Sequence, residues 1–328
     1  MKRVNSVRRN LLLASIVGVF TPLSRAQGGA YPSKPVKVIV GFPPGSSTDS
    51  TARLVSQRLG ASLSQSFYVD NRPGAHGQLA TDALKSSPKD GYTLLYASGG
   101  MMVIGPALHR GKLRYDPLRD FIPIGGVDKG SLLLAVRSSL PVKNLQEMIA
   151  LVKNNPGKFT YGSAGVGSTS NVTMERLKLA EKLDITHVPY RGGGQVLQDL
   201  MGGQLDFTFD AASVLLPYKT DSRIRLIATT SKSQMKVAPG LQPMSDIIPG
   251  FEAVTFSGLF APVGTPPDVI KILNQTINAE LKKGSFSPAV EDVGAEPNGG
   301  TQEEFRQFVS QQYDQWKKII ADTGVTPE

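Results

Sequence analysis

Val36-Lys37-Val38-Ile39-Val40-Gly41-Phe42-Pro43-Pro44-Gly45-Ser46-Ser47-Thr48-Asp49 runs from a β-branched stretch through a Gly/Pro loop to a group of helix-capping residues. Val36 to Val40 reads as a strand, stopped by Gly41 and the Pro43-Pro44 pair. Ala52, Leu54, Val55, Leu59 and Leu63 then recur at helical spacing, with Thr48, Asp49 or Ser50 as candidate N-caps. Phe67-Tyr68-Val69 reads as a strand, Gln78 to Leu84 as a helix and Tyr92 to Ala97 as a third strand. This alternation predicts a parallel sheet with helices on its faces.

The same grammar restarts downstream. Leu132 to Val136 reads as a strand, Asn144 to Asn154 as a helix, Phe159 to Tyr161 as a strand and Ser170 to Leu183 as a helix. Ile185 to Pro189, Leu205 to Phe209, Ile224 to Thr229 and Phe260 to Val263 supply further strands, and helices over Asp268 to Leu281 and Gln302 to Ile320 close the chain. Two α/β lobes follow. The segment Phe121 to Lys129 between them is brief and strand-like, which predicts strands crossing between lobes in place of a floppy linker.

Composition narrows the chemistry. With 328 residues, no Cys and 3 His, the chain has no disulfides, thiolate metal sites or cysteine nucleophile, and no His-rich metal centre is expected. No cofactor is implied. Met1 to Arg9 carries Lys2, Arg3, Arg8 and Arg9, Leu11 to Phe20 is almost wholly apolar, and Ser24-Arg25-Ala26 fits a cleavage site. Residues 1–26 therefore read as a secretory signal peptide, with Arg8-Arg9 loosely matching a twin-arginine signal. Cleavage there leaves 31 basic and 27 acidic residues, a net +4, with no basic run of the kind that grips nucleic acid. An exported, periplasmic protein is expected.

Three Gly/Ser-rich loops join predicted strands to predicted helices: Gly41 to Asp49, Tyr161 to Ser170 and Pro189 to Gly194. In α/β sheets ligands sit beyond the carboxyl ends of the strands, where helix N-termini present unpaired N–H groups. Glycine allows close approach to an anion and Ser/Thr hydroxyls add donors, so a carboxylate suits these loops; tight-turn formation alone would also favour such residues. Ser98 ends a strand and enters the candidate set on that position. His76 lies in a loop, His109 reads as exposed, and His187 within an apolar run reads as structural. Asp210 falls at a strand's end, suited to a ligand donor, a positively charged group or a turn cap. G-x-S-x-G is absent and no His is evidently beside a loop serine, which disfavours an exported serine hydrolase.

Tyr31-Pro32, Phe42-Pro43-Pro44-Gly45 with Asp49, Asn71-Arg72-Pro73-Gly74-Ala75, Asp90-Gly91-Tyr92-Thr93-Leu94-Leu95, Val188-Pro189-Tyr190, Gly202-Gly203-Gln204-Leu205-Asp206 and Ala261-Pro262-Val263-Gly264-Thr265-Pro266 occur in that order. As an ordered set they resemble the Bug-type receptors of tripartite tricarboxylate transporters. The resemblance implies a type II periplasmic-binding-protein fold, with lobe 1 over 27–126 plus 254–328 and lobe 2 over 127–253, joined by two crossing strands. It implies a small carboxylate held in the cleft, a membrane permease as partner and no catalysis. Phe42, Gly45 and Asp49 match the pattern of the first loop, and Ser163, Gly165 and Ser168, with Thr169 beside them, match the second. Ser46 stands where a second Gly is usual, His76 where a small residue is usual, and Asn171 where His is frequent. A dicarboxylate or an aromatic acid such as terephthalate fits the reading, a monomer is the default, and a ligand sensor for a two-component system is the alternative role. Intact mass of the exported protein should place its first residue near Gln27.

Overall fold

The computed structural model describes residues 31–74, 77–109, 112–190, 192–283 and 294–327. The signal-peptide reading and His76 lie outside them. In chain order the first half runs β1 (Val36–Val40), α1 (Ser47–Leu63), β2 (Phe67–Asn71), α2 (Gln78–Lys85) and β3 (Thr93–Ser98), then a π-helical turn over Gly100–Ile104 and the short α3 (Gly105–Leu108). β4 (Phe121–Arg137) leads into α4 (Leu145–Lys153), β5 (Phe159–Ser163), α5 (Thr169–Glu181), β6 (Ile185–Pro189), α6 (Gly193–Met201), β7 (Phe207–Ala211), α7 (Ala212–Leu215) and β8 (Ile224–Thr229). β9 (Val254–Pro262), α8 (Pro267–Leu281), β10 (Ala295–Pro297) and α9 (Gln302–Thr323) complete it.

Each half repeats one arrangement. In the first, β1 lies parallel between β2 and β3, and β9 joins β3 antiparallel. In the second, β5 lies parallel between β6 and β7, and β4 joins β7 antiparallel. This is the two-lobed α/β fold of type II periplasmic binding proteins, with the carboxyl ends of both parallel sets facing one cleft. One large apolar cluster contains residues of both halves, and two smaller ones lie under α1 and α8 and under α6 and α7.

β4 belongs to both lobes. Phe121 to Ser131 pairs with β9, while Leu132 to Arg137 pairs with β7 and β8. The two short strands expected at 121–129 and 132–136 are thus one, and the polar Asp128-Lys129-Gly130-Ser131 that broke the pattern is half-exposed where the strand crosses between lobes. Strand pairing, not an apolar alternation, holds this stretch extended. The return crossing is clamped by Thr230: its Oγ1 donates to Ala253 O at 2.7 Å and accepts from Leu132 N at 2.9 Å. β9 also starts earlier than the Phe260 expected, because Ser257 and Gly258 obscure its pattern. Gly258 is needed there, since a Cβ would lie 2.5 Å from Phe305 Cζ and 2.7 Å from Gly125 O. Gly258→Ala should cost about 1–3 kcal/mol by overpacking, seen as a lower urea midpoint with an unchanged m-value.

Candidate functional site

A cleft of about 1590 Å³ separates the lobes. The loop after β1, the start of α1 and the turn after β3 form one wall; the loops after β5 and β6 and the end of β7 form the other; β4 and β9 make the floor.

The two principal loops are built alike. Gly45-Ser46-Ser47-Thr48-Asp49 opens α1, and Gly167-Ser168-Thr169-Ser170-Asn171 opens α5. Gly45 has φ +82° and Gly167 φ +73°, a region open to glycine. Ser46 and Ser168 are N-caps with nearly the same backbone angles, each accepting the N–H three residues on, from Asp49 and Asn171, at 3.2 Å. Each third residue reaches back: Asp49 Oδ2 accepts Gly45 N–H and Asn171 Oδ1 accepts Gly167 N–H, both at 2.9 Å. These reciprocal bonds use up the outer donors of the turn, and the helical residues next to them, Thr48 of α1 and Thr169 and Ser170 of α5, line the cleft, where the helix dipole favours an anion.

Phe42, Ser98, Gly165, Ser168, Thr169 and Asp210 come together as cleft lining. Gly45, Ser46 and Asp49 do not line the cleft: Gly45 is exposed, Ser46 half-buried, and Asp49 is buried behind the loop. Asp49 also accepts from Arg53 Nε at 3.0 Å and, through Oδ1, from Asn71 Nδ2 at 2.8 Å. Burial works to raise the Asp49 carboxyl, but the bonds from Arg53, Gly45 and Asn71 outweigh it and hold the group below its ordinary value. Ser163 is fully buried behind the second loop. Its Oγ meets His187 Nε2 at 2.7 Å and braces Gly165, donating to the carbonyl at 3.1 Å and lying 3.2 Å from the N–H. A base does therefore lie beside a loop serine, contrary to the sequence reading, but this serine is sealed from substrate. His187 stacks on Tyr161 at 4.7 Å, so Tyr161 packs behind the loop while Phe42, Tyr96 and Tyr190 reach the cleft. His109 also lines the cleft, half-buried, where the sequence suggested exposure.

Two acids face the cavity. Asp210 Oδ1 accepts its neighbour Ala211 N–H at 2.7 Å, and its other oxygen lies against Gly193 at the start of α6, where a side chain would clash. Burial pushes the Asp210 carboxyl up to about 6, against the pull of the Ala211 N–H. Asp128 was not singled out by sequence, because its partners come from distant strands: Ser257 of β9 and Tyr96 of β3. No Lys or Arg is among the described residues lining the cleft. Among the described residues no cluster could hold a metal ion, and no helix is long and apolar enough to cross a membrane.

A family model described as "Tripartite tricarboxylate transporter family receptor" matches residues 51–325. Among solved structures, the chain is similar to Rpa4515 of R. palustris with adipate, at 31% identity and TM-score 0.84, covering 91% of this chain and 100% of that one. It is similar to the periplasmic binding protein BugD, at 29% identity and TM-score 0.80, covering 91% and 100%. MatC from Rhodopseudomonas palustris with bound malate matches at 29% identity and TM-score 0.79, covering 88% and 100%.

The likeness of the two caps makes a specific prediction. Asp49→Asn should keep the bond to Gly45 N–H, as Asn171 does for Gly167, whereas Asp49→Ala should cost about 0.5–1.5 kcal/mol by removing the acceptor of Gly45, Arg53 and Asn71. Because the folded-state carboxyl lies below the unfolded one, its contribution is present above the ordinary carboxylate range and lost as pH falls through the lowered value. The gap in urea midpoint between wild type and Asp49→Asn should accordingly narrow from neutral pH to about pH 3.

Proposed function

Since the chain belongs to the tripartite tricarboxylate transporter receptor family, we propose that it captures a small carboxylate in the periplasm and delivers it to the membrane permease subunits of such a transporter. Receptors of this family are solute-binding proteins, not enzymes, and bind in the periplasm. The observation that carries the reading is the pair of matched Gly-Ser caps that aim α1 and α5 into one cleft. Adipate in Rpa4515 and malate in MatC support a carboxylate as the bound group.

In this reading lobe 1 comprises 27–126 and 254–328, and lobe 2 comprises 127–253, with export removing residues up to Ala26. One carboxylate oxygen pair accepts from the first N–H groups of α5, near Gly165, Ser168 and Thr169. Lobe 1 adds donors from the α1 loop and Ser98, with Phe42 against the body of the ligand. Each open lobe offers half of the contacts, so a ligand that bridges them shifts the population towards a closed form. The closed monomer is what the permease recognises. A dicarboxylate uses both helix N-termini; an aromatic acid such as terephthalate sets its ring against Phe42, Tyr96 and Tyr190.

A thermal-shift panel of aliphatic and aromatic carboxylates tests this. A ligand at 100 times its dissociation constant should add about 2.7 kcal/mol of stability. A panel that stays blank after unfolding and refolding to strip carried-over ligand would overturn the carboxylate reading. For the best hit, Ser168→Ala should weaken binding about tenfold, through loss of the cap that fixes the α5 donors.

A further inference from the structure

The cleft floor carries a carboxylate that an anion receptor has no reason to display. Asp128 lies on β4 just after a bulge in its pairing with β9: Gly126 faces Gly258, Val127 has no partner, and Asp128 faces Ser257. Such a bulge re-aims the side chain that follows it. Asp128 Oδ2 accepts from Ser257 Oγ at 2.5 Å, and the Tyr96 hydroxyl lies 3.1 Å from the same oxygen and in hydrogen-bond contact with Ser257. Oδ1 takes no hydrogen bond from a described residue. All three side chains line the cavity.

The charge on Asp128 is not compensated locally. Burial pushes its carboxyl above the ordinary range, and the two hydroxyls only partly offset this. The adjacent Lys129 is directed to Glu296, at 3.9 Å. Among the described lining residues there is no Lys or Arg. A half-buried carboxylate with two hydroxyl neighbours and one oxygen that takes no bond from a described residue is a poor neighbour for a second anion and a good acceptor for a cation. The helix N-termini that suit an anionic carboxylate lie on the walls, whereas Asp128 lies on the floor. The cleft therefore carries helix N-termini on both walls, Asp210 at the end of β7 with its oxygens against Ala211 N–H and Gly193, and Asp128 at the base.

We infer that Asp128 is a specificity-determining residue that receives a protonated amine, so that the ligand is a carboxylate carrying an ammonium group in place of a plain diacid. This rests on the carboxylate-receptor reading and narrows it. Tyr96 and Ser257 hold the acceptor in place, and their hydroxyls leave Oδ1 to the ligand.

The test is isothermal titration of the purified protein with matched pairs that differ only by the ammonium group: succinate and aspartate, glutarate and glutamate, 4-methylbenzoate and 4-(aminomethyl)benzoate. In at least one pair the amine-bearing member should bind about ten- to a hundredfold more tightly, the range of a charged hydrogen bond. Asp128→Asn should abolish that preference while leaving a folded protein, since it removes the charge at constant shape. Ser257→Ala, which disturbs the same cluster but keeps the carboxylate, should retain it; loss of preference in both variants would mark the cluster as merely structural and overturn the inference. Tighter binding of the members without the amine would overturn it too, and leave the carboxylate reading intact. No binding by any member of the pairs, in a protein that binds no other carboxylate either, would overturn both.

Discussion

The fold depends on a backbone constraint: β4 must stay extended across the gap between two sheets and hydrogen-bond to both. Its first part is held by β9 and its last by β7 and β8. Thr230 ties the returning segment to Leu132 and Ala253 at the crossing. With both lobes hung on the same strands, the carboxyl ends of β1 and β3 meet those of β5 and β7 across one space. The cleft is a consequence of that shared strand.

What fills the cleft walls is mostly backbone. The caps at Ser46 and Ser168 show two ways of writing one structure, with Asp49 as the charged third residue in one and Asn171 as its neutral counterpart in the other. The side chains behind each loop spend their hydrogen bonds on holding it, so the first N–H groups of α1 and α5 remain for a ligand. Ser163 and His187 belong to this support. Their pairing resembles nucleophile and base, yet the burial of Ser163 makes it a brace for Gly165. The electrostatic character of the cavity comes from helix ends at its walls and two carboxylates, Asp128 and Asp210, with no described lysine or arginine among the lining residues.

Much of this was legible along the chain. Val36 to Val40 and the helix after it are visible from short-range pattern, but the N-cap is Ser46 and not the Thr48, Asp49 or Ser50 expected, because the helix starts at Ser47. The Gly/Ser loops identified both walls, since glycine at positive φ and serine at an N-cap are local requirements. The finer assignment within the loops was less accessible. Asp49 and Ser163 look like ligand donors in sequence, but Arg53, Asn71 and His187 reach them from other turns and strands. The pairing of Ser163 with His187 follows from the register of β5 on β6, which places Tyr161 opposite His187.

The sequence by itself determined the strand and helix alternation, the two-lobed plan, the absence of thiol chemistry and the anion-friendly turns, because each is set by residues close together in the chain. Tertiary structure alone decided that residues 121–137 form one strand, since inter-strand hydrogen bonds carry the polar middle that periodicity reads as a break. It alone also brought Tyr96, Asp128 and Ser257 together from three strands, the first and the last of them 161 positions apart in the chain. No local pattern encodes that contact; it exists because β3, β9 and β4 lie side by side in the sheet.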